Sequence, residues 1–153
     1  MTNAGVVIAT AAILDAELER ALKRAMLPMS NKMYGRLFAS FRPLNSFSSK
    51  IVMAYALGVI TKEVYGELEK IRALRNAFAH SSSLLHFESS EIAPLFAALK
   101  HPRRATTKPA VVFVECAKVI EQSLQEYLRR MDERSSDRRS NPPLQQTGAA
   151  RRR

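Results

Sequence analysis

Arginine, asparagine and histidine fall close together in Arg75-Asn76-Ala77-Phe78-Ala79-His80, and these are the side chains whose types and spacing suit chemistry. An imidazole, with a reference pKa of about 6.5, can take the proton from a hydroxyl group. A guanidinium binds phosphate through two parallel hydrogen bonds and stabilises negative charge that develops on it. An amide such as Asn76 can orient a bound anion or a neighbouring imidazole. The same residues have structural uses. A histidine at a helix end is commonly a cap or a dipole partner, and Arg75 and Asn76 can join helices by hydrogen bonds. On an ideal helix Arg75 and His80 lie about 140° apart. One straight helix therefore does not aim both at a single atom, whereas two copies about a twofold axis, or a loosened last turn, would bring them together.

The element that carries them is a helix with an apolar seam of Val64, Leu68, Ile71, Leu74 and Phe78, spaced for one helical face. Arg75 falls about 40° from Ile71 on the wheel, inside that stripe. A guanidinium buried without a partner costs several kcal/mol, so Arg75 is expected to have a partner, a wet pocket or a ligand. Asp15 and Glu19 of the first helix are the candidate partners. Gly66, Ala73 and Ala77 form a second, small-residue side, flanked by Asn76 and His80. Such a helix is packed on two sides, either at the centre of a monomer or at a dimer interface formed by Arg75, Asn76, Ala73, Ala77 and His80.

The remaining apolar runs also have helical spacing. A first helix spans about Asn3 to Leu27, with Val7, Ala11, Leu14, Leu18, Leu22 and Ala25 inward and Pro28 ending it. Met33, Tyr34, Leu37, Phe38 and Phe41 allow a short helix. Ser46 or Ser48 caps the next, which reaches Leu57 before Gly58 takes a left-handed turn. Thr61 caps the helix that ends at His80, with Ile60 and Tyr65 placed as a hydrophobic staple. A shorter helix is expected over Ser90 to Lys100, and a last one from Pro109 along Phe113, Cys116, Ile120, Leu124, Tyr127 and Met131. The fold class is all-α, a bundle of about five helices in a single domain over residues 1–131. A disordered basic tail is expected over 132–153.

The net charge of +10 is unevenly spread. The stretch 100–108 carries +4, residues 129–153 carry +5, and the rest carries +1. A generally basic face for nucleic acid is not implied. The loop and the tail would give weak, salt-sensitive contact with RNA or DNA. The single cysteine, Cys116, lies on an apolar stripe and reads as core, which excludes a disulfide framework within the chain and fits a reducing cytoplasm. The apolar run Ala4 to Leu14 is too short to span a bilayer and lacks the flanks of a signal peptide, so no membrane association is expected. No glycine-rich phosphate loop, His-Glu-x-x-His pattern or paired carboxylate set occurs, and no metal or cofactor is expected.

Four stretches together resemble a known family: Ala11 to Asp15, Pro43 to Ile51, Ala54 to Ile60 and Ile71 to His80. Arg75-Asn76 with His80 is similar to the arginine–histidine signature of the HEPN superfamily. The wider pattern, over about residues 5 to 82, resembles the mannitol operon repressor-like family within it. The resemblance implies an antiparallel helical bundle, a homodimer and a regulatory role in transcription. No basic, exposed recognition helix of the helix-turn-helix kind accompanies it, so a protein partner is expected in place of direct DNA readout. The alternative that the resemblance implies is a HEPN-type ribonuclease in which Arg75, Asn76 and His80 are catalytic.

Overall fold

Each of the first four helices starts where a hydroxyl can satisfy an orphan backbone N–H. In a computed structural model that describes residues 2–81, 84–100 and 108–140, with side chains to 136, Thr2 Oγ1 accepts from Gly5 N and opens α1, Asn3–Ala25. Ser30 opens α2, Asn31–Phe38. Ser46 Oγ accepts from Ser49 N at 3.0 Å and opens α3, Phe47–Ala56. Thr61 Oγ1 accepts from Val64 N at 3.3 Å and opens α4, Lys62–His80. Glu63 is held ionised below the usual carboxylate range by its own backbone N–H and by the Thr61 hydroxyl, so it completes that cap. A one-turn helix, α5, covers Ala93–Ala97, and α6 runs over Pro109–Ser140. No strand occurs among the described residues, and the fold class is the all-α bundle that the periodicity predicts.

The core follows the predicted stripes. Val7, Leu14, Leu18 and Leu22 of α1 meet Leu68, Ile71, Leu74 and Phe78 of α4, with Ile51 and Ala54 of α3 on one side. Phe113, Ile120 and Leu124 of α6 close the other side. Helix α1 packs on α6, α4 and α3, and α4 packs on α1, α3, α5 and α6. The two share the centre. Side-chain pairs give the directions. Lys50 reaches Asp15 and Glu19, Arg24 reaches Asp132, and Tyr55 stacks near Tyr65. Helices α1, α3 and α6 thus run one way and α4 runs against all three.

Four local expectations change. Helix α1 stops at Ala25 because Met26 is extended and donates back to Leu22 O. Phe41 is not on the apolar side of α2: it lies beyond the helix end, fully exposed, at φ 61°. The helix expected over 90–100 shrinks to α5, because turns at His86–Ser89 and Ser89–Ile92 occupy the approach and Pro94 offers no N–H. The segment nonetheless builds core, since Phe87 sits between the rings of Phe78, Phe96 and Phe113 at 5.5, 4.9 and 6.0 Å.

The fourth change is the end of α6. Helix α6 continues past Met131 to Ser140, so residues 132–140, expected to be disordered, are helical. Arg24 explains this: its guanidinium donates to Asp132 Oδ1 and Met131 O, both at 2.9 Å, and to Ser135 Oγ. Pairs of Arg129 with Glu126 and Glu133 add support along the helix. The rest of the expected tail, 141–153, and most of the basic loop, 101–107, lie outside the described residues.

Candidate functional site

Arg75 is exposed, contrary to the burial its place on the wheel implies. The wheel records direction and not where a neighbour ends. Helix α3 begins at Phe47, so at the level of Arg75 the covering wall is only its first residues. Arg75 lines a depression there. Its Nη1 donates to Asn76 Oδ1 at 3.0 Å. It makes no ion pair among the described residues, and neither Asp15 nor Glu19 is its partner.

That depression, about 250 Å³, is walled by Ile8, Ala11, Ala12 and Asp15 of α1, by Asn45, Ser46 and Phe47 at the start of α3, and by Arg75. Three of the four stretches that carry the family resemblance meet here. Beside its apolar residues the lining carries a guanidinium, an amide, a hydroxyl and a carboxylate. Ser46 is already engaged as the cap of α3 and shares a 2.8 Å hydrogen bond with Ser49 Oγ, so it is no nucleophile. The site can grip a group that presents both donors and acceptors, and no proton-transfer pair stands beside Arg75.

Beneath the rim lies a residue that the sequence reading missed. Lys50 is only 4 % exposed, and its Nζ sits 2.9 Å from Glu19 Oε2 and 3.2 Å from Asp15 Oδ2. Asp15 Oδ1 is 3.1 Å from the same nitrogen but accepts no hydrogen bond. Lys23 completes the group with a 2.7 Å bond to Glu19 Oε1. Burial pushes the Glu19 carboxyl up, but the bonds from Lys23 and Lys50 outweigh it and leave it below its ordinary value. Burial pulls the Lys50 ammonium down, and its bonds to Glu19 and Asp15 more than restore it. The missed signal was spacing. Lys50 follows Phe47 by three and precedes Ala54 by four, which puts it on the buried side of α3.

The other predicted site residues are dispersed. His80 is exposed at the last position of α4 and is not a wall of the depression. Asn76 and Ala73 are half-buried, and Ala77 packs against the core. Gly66 has open space where a side chain would stand, so no helix among the described residues approaches it closely there. Beyond the end of α4 a cleft of about 360 Å³ lies between Phe78, Ser81, Leu84 and Leu85 and the start of α1, and Asn3 Nδ2 meets His86 Nδ1 there at 3.3 Å. Cys116 is core, as expected: burial, with the nearby Glu67 carboxylate, pushes its thiol up to about 11. Among the described residues no His, Cys, Asp or Glu cluster could hold a metal, and no helix is long and apolar enough to cross a membrane.

No protein-family model, no curated protein and no solved structure matches this chain.

Proposed function

We propose that the chain is a regulatory interaction module of the mannitol operon repressor-like kind, a helical homodimer that acts in transcription through protein contacts and not through DNA readout. One observation carries this reading. Three of the four segments that suggest the family line a single depression, where an exposed guanidinium without an ion pair among the described residues stands beside apolar side chains. Arginine beside apolar side chains is a common anchor in protein interfaces. The nearly neutral body, with its excess charge confined to 100–108 and 129–153, supports protein over nucleic acid as the main partner. Arg75 and Asn76 then serve recognition, not the stability of the bundle.

The competing ribonuclease reading has one point in its favour: Arg75 and His80 are both exposed and open to a phosphate. The two separate in one experiment. Purified chain is incubated with mixed single-stranded RNA and EDTA, beside His80→Ala and Arg75→Ala. The module reading expects no cleavage above the His80→Ala background. It also expects Arg75→Ala to unfold within about 0.5 kcal/mol of the parent. Cleavage that disappears in both variants would replace the module with the enzyme.

A further inference from the structure

Between α3 and α4 the chain turns through Gly58, at φ 67°, and brings Val59, Ile60 and Thr61 against the later turns of α6. A depression of about 280 Å³ opens there, and α6 lines it with Ser123, Tyr127, Met131 and two arginines, Arg130 and Arg134. Val59 and Ile60 are buried and give it an apolar wall. The polar side chains of the lining have donors to spare. Arg134 makes no hydrogen bond or ion pair among the described residues. Arg130 engages only its Nε, 3.2 Å from Glu126 Oε1, and that oxygen is shared with Arg129. The hydroxyls of Ser123 and Tyr127 make no hydrogen bond among the described residues. Thr61 Oγ1 accepts from Val64 N as the cap of α4, and its O–H is still a donor. No carboxylate belongs to the lining.

The geometry points to a binding site for a small phosphate monoester, its phosphate between Arg130 and Arg134 and its organic body against Val59, Ile60 and Tyr127. A lining rich in free donors and without a carboxylate selects an anion made of acceptors. Two guanidiniums, one helical turn apart on α6, offer two forks of N–H groups. A carboxylate has two oxygens and fills one fork, whereas a phosphate monoester has three terminal oxygens and can fill both. The N-terminal end of α4 adds a partial positive charge, but the arginines and the free hydroxyls of α6 carry the site. Its size sets the ligand. The volume lies at the lower end of the roughly 300–1,000 Å³ typical of small-molecule sites. The charge around it argues against a long polyanion. Over residues 126–134, Arg129, Arg130 and Arg134 are balanced by Glu126, Asp132 and Glu133, so no continuous positive track is there for a nucleic-acid backbone. The site is separate from the one proposed for a protein partner. Thr61 and Arg75 stand at opposite ends of α4, about 21 Å apart along the helix.

The test is an amide NMR titration of the full chain with phenyl phosphate up to about 20 mM, with phenol and a short single-stranded RNA as the other arms. Arg130→Gln and Arg134→Gln are compared with Arg36→Gln, an exposed arginine on α2 outside the depression. Each variant is checked for unchanged helicity. The inference expects saturable shifts from phenyl phosphate, centred on 58–61 and 123–134, and none from phenol. It expects Arg130→Gln and Arg134→Gln each to weaken binding at least about fivefold, with Arg36→Gln unchanged. Absence of saturation, or equal weakening by all three variants, overturns the inference. RNA that binds through Arg130 and Arg134 and is not displaced by phenyl phosphate also overturns it, and makes the surface a nucleic-acid contact.

Discussion

Lys50 is the residue on which the site's geometry depends. A lysine at 4 % exposure is tolerated because two carboxylates face it, and those carboxylates keep 31 % and 27 % exposure. Removing one partner of a buried pair costs more than forming the pair gained. Lys50→Met keeps the volume and removes the cation. It is expected to lower stability by about 2–3 kcal/mol at neutral pH, less than for a fully buried pair because Asp15 and Glu19 touch water. The sign with pH follows from linkage. Glu19 has its carboxyl lowered on folding, so its contribution is present above the ordinary value of 4.5 and is lost as pH falls through the lower folded value. Lys50 is raised, so its contribution is present below 10.5 and is lost only above that. The gap between parent and Lys50→Met should therefore narrow as pH drops below about 4.5. Urea unfolding across that range reads it directly. Arg75 and Lys50 teach the same lesson in opposite directions. On the wheel one cation lay inside a stripe and yet is exposed. Lys50, spaced with Phe47 and Ala54, also lies inside a stripe and is buried. A helical wheel gives the angle of a side chain, while burial depends on how far along the helix the neighbour extends.

At the scale of elements, long periodic helices were legible and short or interrupted ones were not. Helices α1, α4 and the first half of α6 repeat apolar residues over many turns, so their faces survive packing unchanged. Helix α5 is one turn beside Pro94, and the neighbouring segment earns its place through Phe87, whose ring fills a gap that no local pattern announces. The connection after α2 holds Phe41 in the left-handed region with its ring wholly in solvent. That conformation costs a side-chain-bearing residue about 1 kcal/mol, and no burial offsets it. Phe41→Gly is expected to raise stability by about 0.5 kcal/mol, the relief being partly offset by a looser unfolded chain. An upward shift in the urea midpoint with unchanged slope would show it. The far end of α6 was illegible because its support comes from Arg24, more than a hundred positions earlier. Arg24→Ala and truncation after Met131 should each cost about 1 kcal/mol and leave the bundle folded. Combined, they should cost little more than either alone, since both remove the same contacts. Additive losses in chemical unfolding would mean that Arg24 acts through something else.

At the scale of the molecule, the bundle lines the candidate depression with α1, the start of α3 and Arg75 of α4. Among the groups that line it, Ser46 is engaged as a cap and Asp15 by Lys50, while the guanidinium of Arg75 bonds only to its neighbour Asn76. Three of the four stretches singled out in the sequence line this depression. It was illegible as an arrangement, because nothing in one strand of text says that the start of α3 and the end of α4 meet over α1. The excess positive charge lies in 100–108 and 129–153, and the proposed reading leaves the remaining, nearly neutral body for protein contacts. The most direct measurement is photo-cross-linking from position 75, with a benzoylphenylalanine replacing the arginine in living cells and the same probe at exposed Val119 as control. The account predicts protein adducts specific to position 75, including the chain joined to itself. Adducts to RNA alone, or a pattern indistinguishable from that at position 119, would contradict it.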